Sequence, residues 1–149
     1  MLYKDFEGEQ LSSLGFGAMR LPVVDGDNAK IDQDAANEMV DYALDRGVNY
    51  FDTAWGYHDG QSEIAMGIAL NRHARDEFMI ATKFPGYDVN NMDKVEEIFE
   101  KQLEKTGMEF FDSTSSTMSA RRISMSTSTP SSASWTTCSS RRRPVASVI

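Results

Sequence analysis

The sequence predicts an α/β fold with a parallel sheet, and three observations support this prediction. Short apolar runs that are typical of strands alternate with helical segments up to residue 112, which indicates βα units. Two of the helical segments end at a glycine, Gly47 and Gly107, a frequent helix stop. Asp52 and Lys83 each end a strand-like run, where site residues of parallel sheets collect. We count about three complete βα units by this pattern.

The amino-terminal residues predict a small hairpin followed by a buried strand. Residues 2–6 and 10–12 are strand-like, and Glu7-Gly8-Glu9 between them places a glycine in the turn. Residues 14–19 predict a buried strand whose glycines allow close backbone approach. The hairpin therefore precedes the first strand of the parallel sheet.

The helices and strands that follow are predicted from hydrophobic spacing. From Asp32, apolar residues recur at three- and four-residue intervals and predict an amphipathic helix that ends at Gly47. The later elements are predicted in the order strand 48–53, helix 62–70, strand 78–82, a last helix that starts after Met92 and ends at Gly107, and a strand that starts at residues 110–112. The apolar face of the last helix consists of Val95, Ile98, Phe99 and Leu103.

The composition of the chain changes near Asp112. Residues 1–112 contain all 23 acidic residues and 10 Lys+Arg, a net charge of −13. Residues 113–149 contain no acid and 5 Arg, and 19 of them are Ser or Thr, against 6 in the first part. We therefore divide the chain into a partial α/β unit, 1–112, and a Ser/Thr/Arg-rich tail, 113–149, which has too few apolar residues for a core and is expected to be disordered.

Charge, cysteine content and hydropathy exclude several classes of protein. The acidic first part argues against nucleic-acid binding, which needs clustered Lys and Arg. The single cysteine, Cys138, permits no disulfide within the chain and no Cys-based metal site, so no metal is predicted. The amino terminus lacks an apolar core of signal-peptide length, and no run approaches about 18 apolar residues. We expect a cytoplasmic protein that does not bind membranes.

Asp52, Tyr57 and Lys83 form the candidate site. Taken singly, each has a structural interpretation that is favoured by roughly two to one: a cap, a half-buried ring and a surface charge. In a parallel barrel, however, all strand ends face one rim, so Asp52 and Lys83 meet there and Tyr57 lies on the loop just beyond. A lysine beside a tyrosine favours the phenolate, and a carboxylate keeps that lysine charged. The tyrosine can then donate a proton to a carbonyl group, which points to an oxidoreductase.

Gly15 and Gly17 are only part of a dinucleotide-binding fingerprint. The pattern Gly-x-Gly-x-x-Gly is incomplete, because Arg20 occupies the place of the third glycine. A Rossmann domain is therefore not predicted.

Several motifs of the first part closely resemble those of the aldo-keto reductases. They are residues 14–22 (LGFGAMRLP), residues 47–57 (GVNYFDTAWGY) with Ser62-Glu63, and residues 81–83 (ATK). The resemblance extends from Met1 to about Asp112 and keeps the motifs in the order of the family. It implies an eight-stranded βα barrel. Because a complete barrel takes about 250 residues, a chain of 149 residues would hold an incomplete (βα)8 TIM barrel.

The resemblance also implies a chemistry. In this family hydride passes between NADP or NAD and a small-molecule carbonyl substrate, and the hydride chemistry belongs to the cofactor. Tyr57 would be the general acid, Lys83 would tune it, and Asp52 would pair with Lys83 and reach the nicotinamide ribose. Met19 and Arg20 would line the nicotinamide. The sequence leaves open the substrate, the choice of NADH or NADPH, and the oligomeric state.

A second function of a different class stays open. A barrel of the same family could bind the nicotinamide cofactor without turnover, as a regulatory or interaction subunit. The presence of both Tyr57 and Lys83 favours the enzyme.

The family's fourth catalytic residue, a His near the end of the fourth strand, is missing from the sequence as written. Residues 113–118 (STSSTM) stand where it is expected. The histidines present are His58 and His73, which we interpret as a loop residue near the site and a helix-surface residue. Neither follows a fourth strand.

A frameshift near Asp112 is our hypothesis for the tail. Residues 113–121, back-translated and read one base earlier, can give FYLLHNVCE, which resembles the family's fourth strand with its His. The His codon would straddle the codons of Ser116 and Thr117. The alternative is a genuine low-complexity arm, in which arginines amid serines bind RNA, but five arginines in this tail are a weak signal.

Overall fold

The computed structural model describes residues 1–6 and 8–116. In this part of the chain, an antiparallel hairpin precedes a four-stranded parallel sheet. The hairpin consists of β1 (Tyr3–Phe6) and β2 (Glu9–Ser12). The sheet has the order β3 (Phe16–Gly17), β4 (Tyr50–Asp52), β5 (Met79–Phe84) and β6 (Ser113–Ser116). The predicted parallel α/β architecture with an N-terminal hairpin is confirmed.

Three α-helices connect successive strands of the sheet, as predicted. They are α1 (Gln33–Asp45), α2 (Ser62–Leu70) and α3 (Val95–Thr106). Helix α1 begins where the Asp32 carboxylate accepts a hydrogen bond from the Ala35 N–H at 3.1 Å, which satisfies a free amide of the first turn. Helix α3 ends at Gly107, whose φ of +62° is the left-handed conformation that favours glycine.

The hairpin is attached to the amino-terminal side of β4 by side-chain hydrogen bonds. The Ser12 N–H donates to Asn49 Oδ1 at 2.8 Å, and the Asn49 N–H donates to Ser12 Oγ at 3.1 Å. Asn49 also donates through Nδ2 to the carbonyl oxygen of Gln10 at 2.8 Å. These contacts place the hairpin at the end of the sheet opposite to the candidate site.

The core lies between the sheet and the helices, and it determines which face of each strand is open. Phe51 of β4 pairs with Ile80 of β5, and both are fully buried. Because side chains alternate along a strand, Asp52 and Lys83 project from the other face. The rest of this core includes Val40, Ala43, Val48, Ala65, Met66, Ala69 and Leu70.

The first strand of the sheet is shorter than predicted. Only Phe16–Gly17 pairs with β4, and Ala18–Arg20 form a turn of 3₁₀-helix. Leu14 is 61% exposed rather than buried. The apolar spacing of residues 14–19 does not reveal this, because the chain leaves the sheet at Ala18 to form a site loop.

The fourth strand begins later than predicted. It begins at Ser113 rather than at residues 110–112, and it therefore uses the first four residues of the segment that we assigned to the tail. Backbone pairing of Ala81 with Ser113 through to Phe84 with Ser116 forms this strand, whose four residues are all Ser or Thr. The remainder of the predicted tail, residues 117–149, lies outside the described residues. Within the described residues, no helix is long and apolar enough to cross a membrane.

The close approach of α2 and α3 gives a stability prediction. A Cβ on Gly67 would clash with the backbone oxygen of Thr106, so Gly67→Ala must separate the two helices. We expect the free energy of unfolding to fall by about 1–3 kcal/mol, although alanine has the higher helix propensity. Urea denaturation followed by circular dichroism measures this change.

Gly17→Ala is the matched control. A Cβ at Gly17 meets nothing within 4 Å, and the φ of Gly17 is −100°, which any residue adopts. We expect a change within about 0.5 kcal/mol. Equal stabilities of the two variants would contradict the packing of α2 against α3.

Candidate active site

Pairing between β4 and β5 continues beyond the strand end and forms the floor of the candidate site. Asp52 lies opposite Ala81 in the register. The Thr53 N–H then donates to the Ala81 oxygen at 2.9 Å, and the Trp55 N–H donates to the Lys83 oxygen at 3.3 Å. The segment after Asp52 therefore runs alongside Lys83.

Asp52 and Lys83 form an ion pair at this carboxyl edge. The Lys83 ammonium donates to Oδ2 of Asp52 and to the Thr53 backbone oxygen at 3.3 Å. The side chains of Lys83 and Asp52 are 22% and 31% exposed. The pair is thus partly shielded from water but still accessible from the open side of the sheet.

Tyr57 completes the group that the sequence predicts. It begins a 3₁₀ turn, Tyr57–Gly60, and its ring centroid lies 4.8 Å from Lys83 Nζ. The sequence prediction that Asp52, Tyr57 and Lys83 lie together therefore agrees with the geometry. Their roles in chemistry are a separate question.

The surroundings of Lys83 favour its charged form. Burial lowers the pKa of Lys83, but hydrogen bonds and charge interactions with Asp52 and Tyr57 outweigh it and raise the pKa above the ordinary value of 10.5. The ammonium is therefore charged at neutral pH. Since the folded-state pKa is the higher one, these interactions stabilise the fold below pH 10.5, and the stabilisation is lost as the pH rises through the folded-state pKa.

His58 holds the loop of Tyr57 in place. Its ring is buried, and Nε2 accepts a hydrogen bond from the Leu21 N–H at 3.0 Å. Nδ1 lies 3.0 Å from the Asn28 backbone oxygen, so Nδ1 carries the proton and donates it. Both ring nitrogens are engaged, and His58 therefore has a positional role. The sequence indicates only a loop residue near the site at this position, because the partners of His58 lie 37 and 30 residues away in sequence.

Two residues of the same loop have a strained backbone conformation. His58 and Asp59 have φ values of +51° and +53°, a region that costs a non-glycine residue on the order of 1–3 kcal/mol. The hydrogen bonds of His58 and that from Asn28 Nδ2 to Asp59 Oδ2 at 3.3 Å offset part of this cost. Tyr57 is thus presented by a strained turn rather than by a flexible loop.

A second set of buried hydrogen bonds joins the ends of β3 and β4 to the start of α2. Ser62 Oγ lies 2.9 Å from Thr53 Oγ1 and donates to the Ala18 oxygen at 3.0 Å. Thr53 and Ser62 are fully buried. These bonds fix the position of Thr53, whose backbone oxygen accepts a hydrogen bond from the Lys83 ammonium.

A small cavity opens beside Tyr57 and Lys83. Its volume is about 210 Å³, below the range of about 300–1,000 Å³ for pockets that enclose a small ligand. Aromatic rings form much of its wall. The lining residues are Ala54, Trp55, Gly56, Tyr57, Lys83, Pro85 and Tyr87.

Met19 and Arg20 lie at the same edge of the sheet but do not join the other predicted site residues. Both belong to the 3₁₀ turn after β3 and are exposed, Met19 at 56%. Within the described residues, no hydrogen bond or ion pair links either side chain to Asp52, Tyr57 or Lys83. The backbone pairing of Gly17 with Asp52 is what places Met19 and Arg20 at the same edge as the other site residues.

His73 lies away from the site and differs from its predicted placement. It follows the end of α2, and its Nε2 lies 2.7 Å from Oδ1 of Asp41 on α1. The hydrogen bond with His73 lowers the pKa of Asp41, and the hydrogen bond from Arg72 acts in the same direction against the opposing effect of burial. His73 therefore links α1 to the turn after α2 and is not a helix-surface residue. Within the described part of the chain, no group of three or more His, Cys, Asp or Glu could hold a metal ion.

The fold and this arrangement of residues agree with sequence comparison. The profile of the aldo/keto reductase family matches residues 13–116, more than half of the chain. The chain belongs to the aldo/keto reductase family, which confirms the resemblance seen in its motifs. The match ends just after the change in composition at Asp112.

Curated relatives match over the first part of the chain. A probable aldo-keto reductase 1 of Glycine max is 37% identical over 78 residues, which are 52% of this chain and 22% of the relative. Norsolorinic acid reductase B of Aspergillus parasiticus is 32% identical over 90 residues, 58% of this chain and 24% of the relative. D-threo-aldose 1-dehydrogenase of a Pseudomonas species is 36% identical over 76 residues, 51% of this chain and 22% of the relative. The chain thus matches less than a quarter of the length of these relatives.

Solved structures confirm the fold. An aldo-keto reductase from Bacillus halodurans in its holo form aligns with a TM-score of 0.63 at 24% identity, over 78% of this chain and 40% of that chain. An aldo-keto reductase from Klebsiella pneumoniae in complex with NADPH aligns with a TM-score of 0.57 at 20% identity, over 72% of this chain and 36% of that chain. The described residues therefore form part of a TIM barrel.

The charge on Lys83 gives a prediction for Asp52. Asp52→Asn removes an interaction that raises the pKa of Lys83 and leaves the burial that lowers it. We expect the pKa of Lys83 to fall, as measured by NMR titration of labelled lysine side chains over the alkaline range. The control is Asp41→Asn, which removes a carboxylate paired with Arg72 and His73. A pKa of Lys83 that responded equally to both variants, or to neither, would contradict the ion pair.

Proposed function

We propose that this chain is the amino-terminal part of a reductase that transfers hydride between NADP or NAD and a small aldehyde or ketone. The observation that carries the proposal is the position of the Lys83 ammonium, between the Asp52 carboxylate and the Tyr57 ring. The family membership of residues 13–116 supports the reaction class. The relatives have names that indicate different substrates, so the proposal stops at the carbonyl class.

Tyr57 is the proton donor in this proposal. The nicotinamide cofactor supplies the hydride. As the carbonyl carbon is reduced, its oxygen gains negative charge and takes the proton of the Tyr57 hydroxyl. Lys83 stabilises the phenolate that is left behind, because its ammonium lies 4.8 Å from the ring centroid.

Asp52 orients Lys83 and offers a contact for the cofactor. Its Oδ2 accepts from Lys83, while the side chain stays 31% exposed. A partly exposed carboxylate at the strand end fits a ribose hydroxyl, which needs an acceptor. Met19 and Arg20, exposed at the same edge, would lie against the nicotinamide. We therefore assign the nicotinamide end of the cofactor to this edge of the sheet.

The fourth strand supports the frameshift hypothesis. Strand β6 lies in register with β5, and Ser115 pairs with Lys83. The strand contains only Ser and Thr and so gives no apolar side chain to the core. The codon of the His recovered in the neighbouring frame straddles those of Ser116 and Thr117, and Ser116 is the last residue of this strand, at its carboxyl end. That end lies beside Lys83, where a fourth catalytic group would be useful.

Restoring the frame is therefore a decisive test. With one base inserted, or two removed, around the codons of Asp112 and Ser113, we expect a longer frame that begins Phe-Tyr-Leu-Leu/Phe-His. Its product should supply the missing His, the remaining βα units and the loops that hold the cofactor phosphates. We expect saturable binding of NADPH or NADH to this product by fluorescence titration. Resequencing of the gene checks the frame itself.

The 149-residue chain is the comparison sample. Its outer strands β3 and β6 would lack neighbours, so we expect marginal folding or association and no measurable cofactor binding. A verified gene whose alternative frame soon meets stop codons would overturn the frameshift. Micromolar cofactor affinity of the 149-residue chain would overturn its proposed inactivity.

Tyr57→Phe tests the assigned proton donor. In the frame-restored protein this change removes the hydroxyl but keeps the ring, so carbonyl reduction should fall by about 10²-fold or more with cofactor binding nearly unchanged. The control is Tyr42→Phe, which alters an exposed tyrosine on α1. If Tyr57→Phe kept most of its turnover, the assignment would be wrong. If the unaltered protein bound cofactor without any turnover, the non-catalytic subunit would be the better interpretation.

A further inference from the structure

A buried polar cluster lies behind the candidate site, on the helix side of the sheet. It consists of Glu63 on α2, Thr82 on β5, and Gln102 and Lys105 on α3. Glu63, Thr82 and Gln102 have no exposed surface at all. A carboxylate in such a place must be paired and hydrogen-bonded, since burial of an isolated charge is strongly unfavourable.

Three donors satisfy the Glu63 carboxylate. Thr82 Oγ1 and Gln102 Nε2 each donate to Oε1 at 2.7 Å. The Lys105 ammonium pairs with Oε2 at 3.4 Å, and its side chain is 23% exposed. The cluster thus joins two helices and the strand that carries Lys83.

The amide of Gln102 is oriented towards acceptors of this cluster and of the site. Besides Glu63, its Nε2 lies 3.0 Å from Thr82 Oγ1 and 3.2 Å from the Lys83 backbone oxygen. Its own oxygen, Oε1, is buried without a hydrogen-bonding partner among the described residues. An unpaired buried oxygen is unfavourable. The hydrogen bonds of Nε2 therefore maintain the orientation of the Gln102 amide.

The cluster reaches the site at two points. The Lys83 oxygen accepts from both Gln102 Nε2 and the Trp55 N–H, at 3.2 and 3.3 Å. Lys105 Nζ lies 3.8 Å from the centroid of the Trp55 ring, a cation–π contact. Trp55 and Lys83 both line the cavity. One buried carboxylate is therefore connected to two of the residues that line the cavity.

Stability alone does not explain this arrangement. Apolar residues of similar volume often stabilise a core as well as a buried ion pair does or better. The directional contacts of the cluster end instead at the backbone of Lys83 and the ring of Trp55, two residues before Tyr57. Such contacts restrict geometry more than they contribute free energy of folding.

We propose that Glu63 is a positioning residue for the candidate site, acting through Gln102 on the Lys83 backbone and through Lys105 on Trp55. This inference rests on the proposed reductase function. Glu63 does not touch the reacting groups. It holds the Trp55–Tyr57 segment and Lys83 in one relative position, so that the Tyr57 hydroxyl stays at the carbonyl oxygen during proton transfer.

The test compares two Glu→Gln changes in the frame-restored protein. Glu63→Gln keeps the shape of the side chain but removes the charge that holds Lys105. Glu97→Gln, the matched control, removes the partner of Lys101 in an exposed pair on the same helix as Lys105. We expect Glu63→Gln to lower kcat by about 10-fold or more, with the cofactor dissociation constant within about twofold and Glu97→Gln unchanged in both.

A second readout does not depend on activity. Hydrogen–deuterium exchange followed by mass spectrometry reports the Thr53 and Trp55 amides, which donate to β5. We expect these amides to exchange faster in Glu63→Gln than in Glu97→Gln, because the segment loses its support. This measurement tests the positioning role even if the unaltered protein shows no turnover. Absence of turnover would contradict the proposed function but not the positioning role.

Lys105→Met covers the case in which Glu63→Gln does not fold. Lys105 is partly exposed, and the change removes its contacts with both Glu63 and Trp55. A lower kcat and faster exchange at residues 53–55 in this variant would support the proposal. The proposal is overturned if kcat and exchange stay at control values in the folded variants, or if the loss of kcat only follows the loss of folded protein.

Discussion

The parallel register of β4 and β5 is the constraint on which the candidate site depends. Phe51 pairs with Ile80, and both are fully buried against the helices. Because side chains alternate along a strand, a slip of one residue would turn Phe51 to the open face and Asp52 into the core. Burial of two apolar side chains thus specifies the register, and the register carries Asp52 to Lys83. The relative position of the candidate site residues thus follows from a packing requirement on the opposite face.

Electrostatic interactions then determine the charge state of Lys83. Lys83 is shielded enough that burial opposes its charge, but Asp52 and Tyr57 outweigh this effect and raise its pKa. The site is held from two sides. His58 ties the turn of Tyr57 to the backbone of Leu21 and Asn28, and the Glu63 cluster supports β5 from the helix side. Because both ring nitrogens of His58 are hydrogen-bonded, the turn that carries Tyr57 has little conformational freedom.

The described residues form only one side of the barrel that the family requires. Strands β3 and β6 are the outer strands of the sheet, and outer strands offer backbone groups for further pairing. The cavity of about 210 Å³ is lined mainly by the segments that follow β4 and β5. A fourth strand of Ser and Thr also contributes no apolar surface to the core. Outer strands open to further pairing and a fourth strand without apolar side chains are features of an incomplete barrel.

Local pattern was enough to predict the βα order, the bounds of α2, the glycine stops and the approach of Asp52, Tyr57 and Lys83. Helix periodicity and glycine conformation are properties that neighbouring residues determine, and the alternation of strands with helices implies parallel strands whose carboxyl ends share one edge. Three features were decided by tertiary structure: the burial of His58, the contact of Gly67 with Thr106, and the cluster around Glu63. Each depends on residues that lie 19 to 42 positions apart in sequence, which only packing brings together. The start of β6 at Ser113 belongs with them, because pairing with β5 rather than side-chain hydropathy determines that strand.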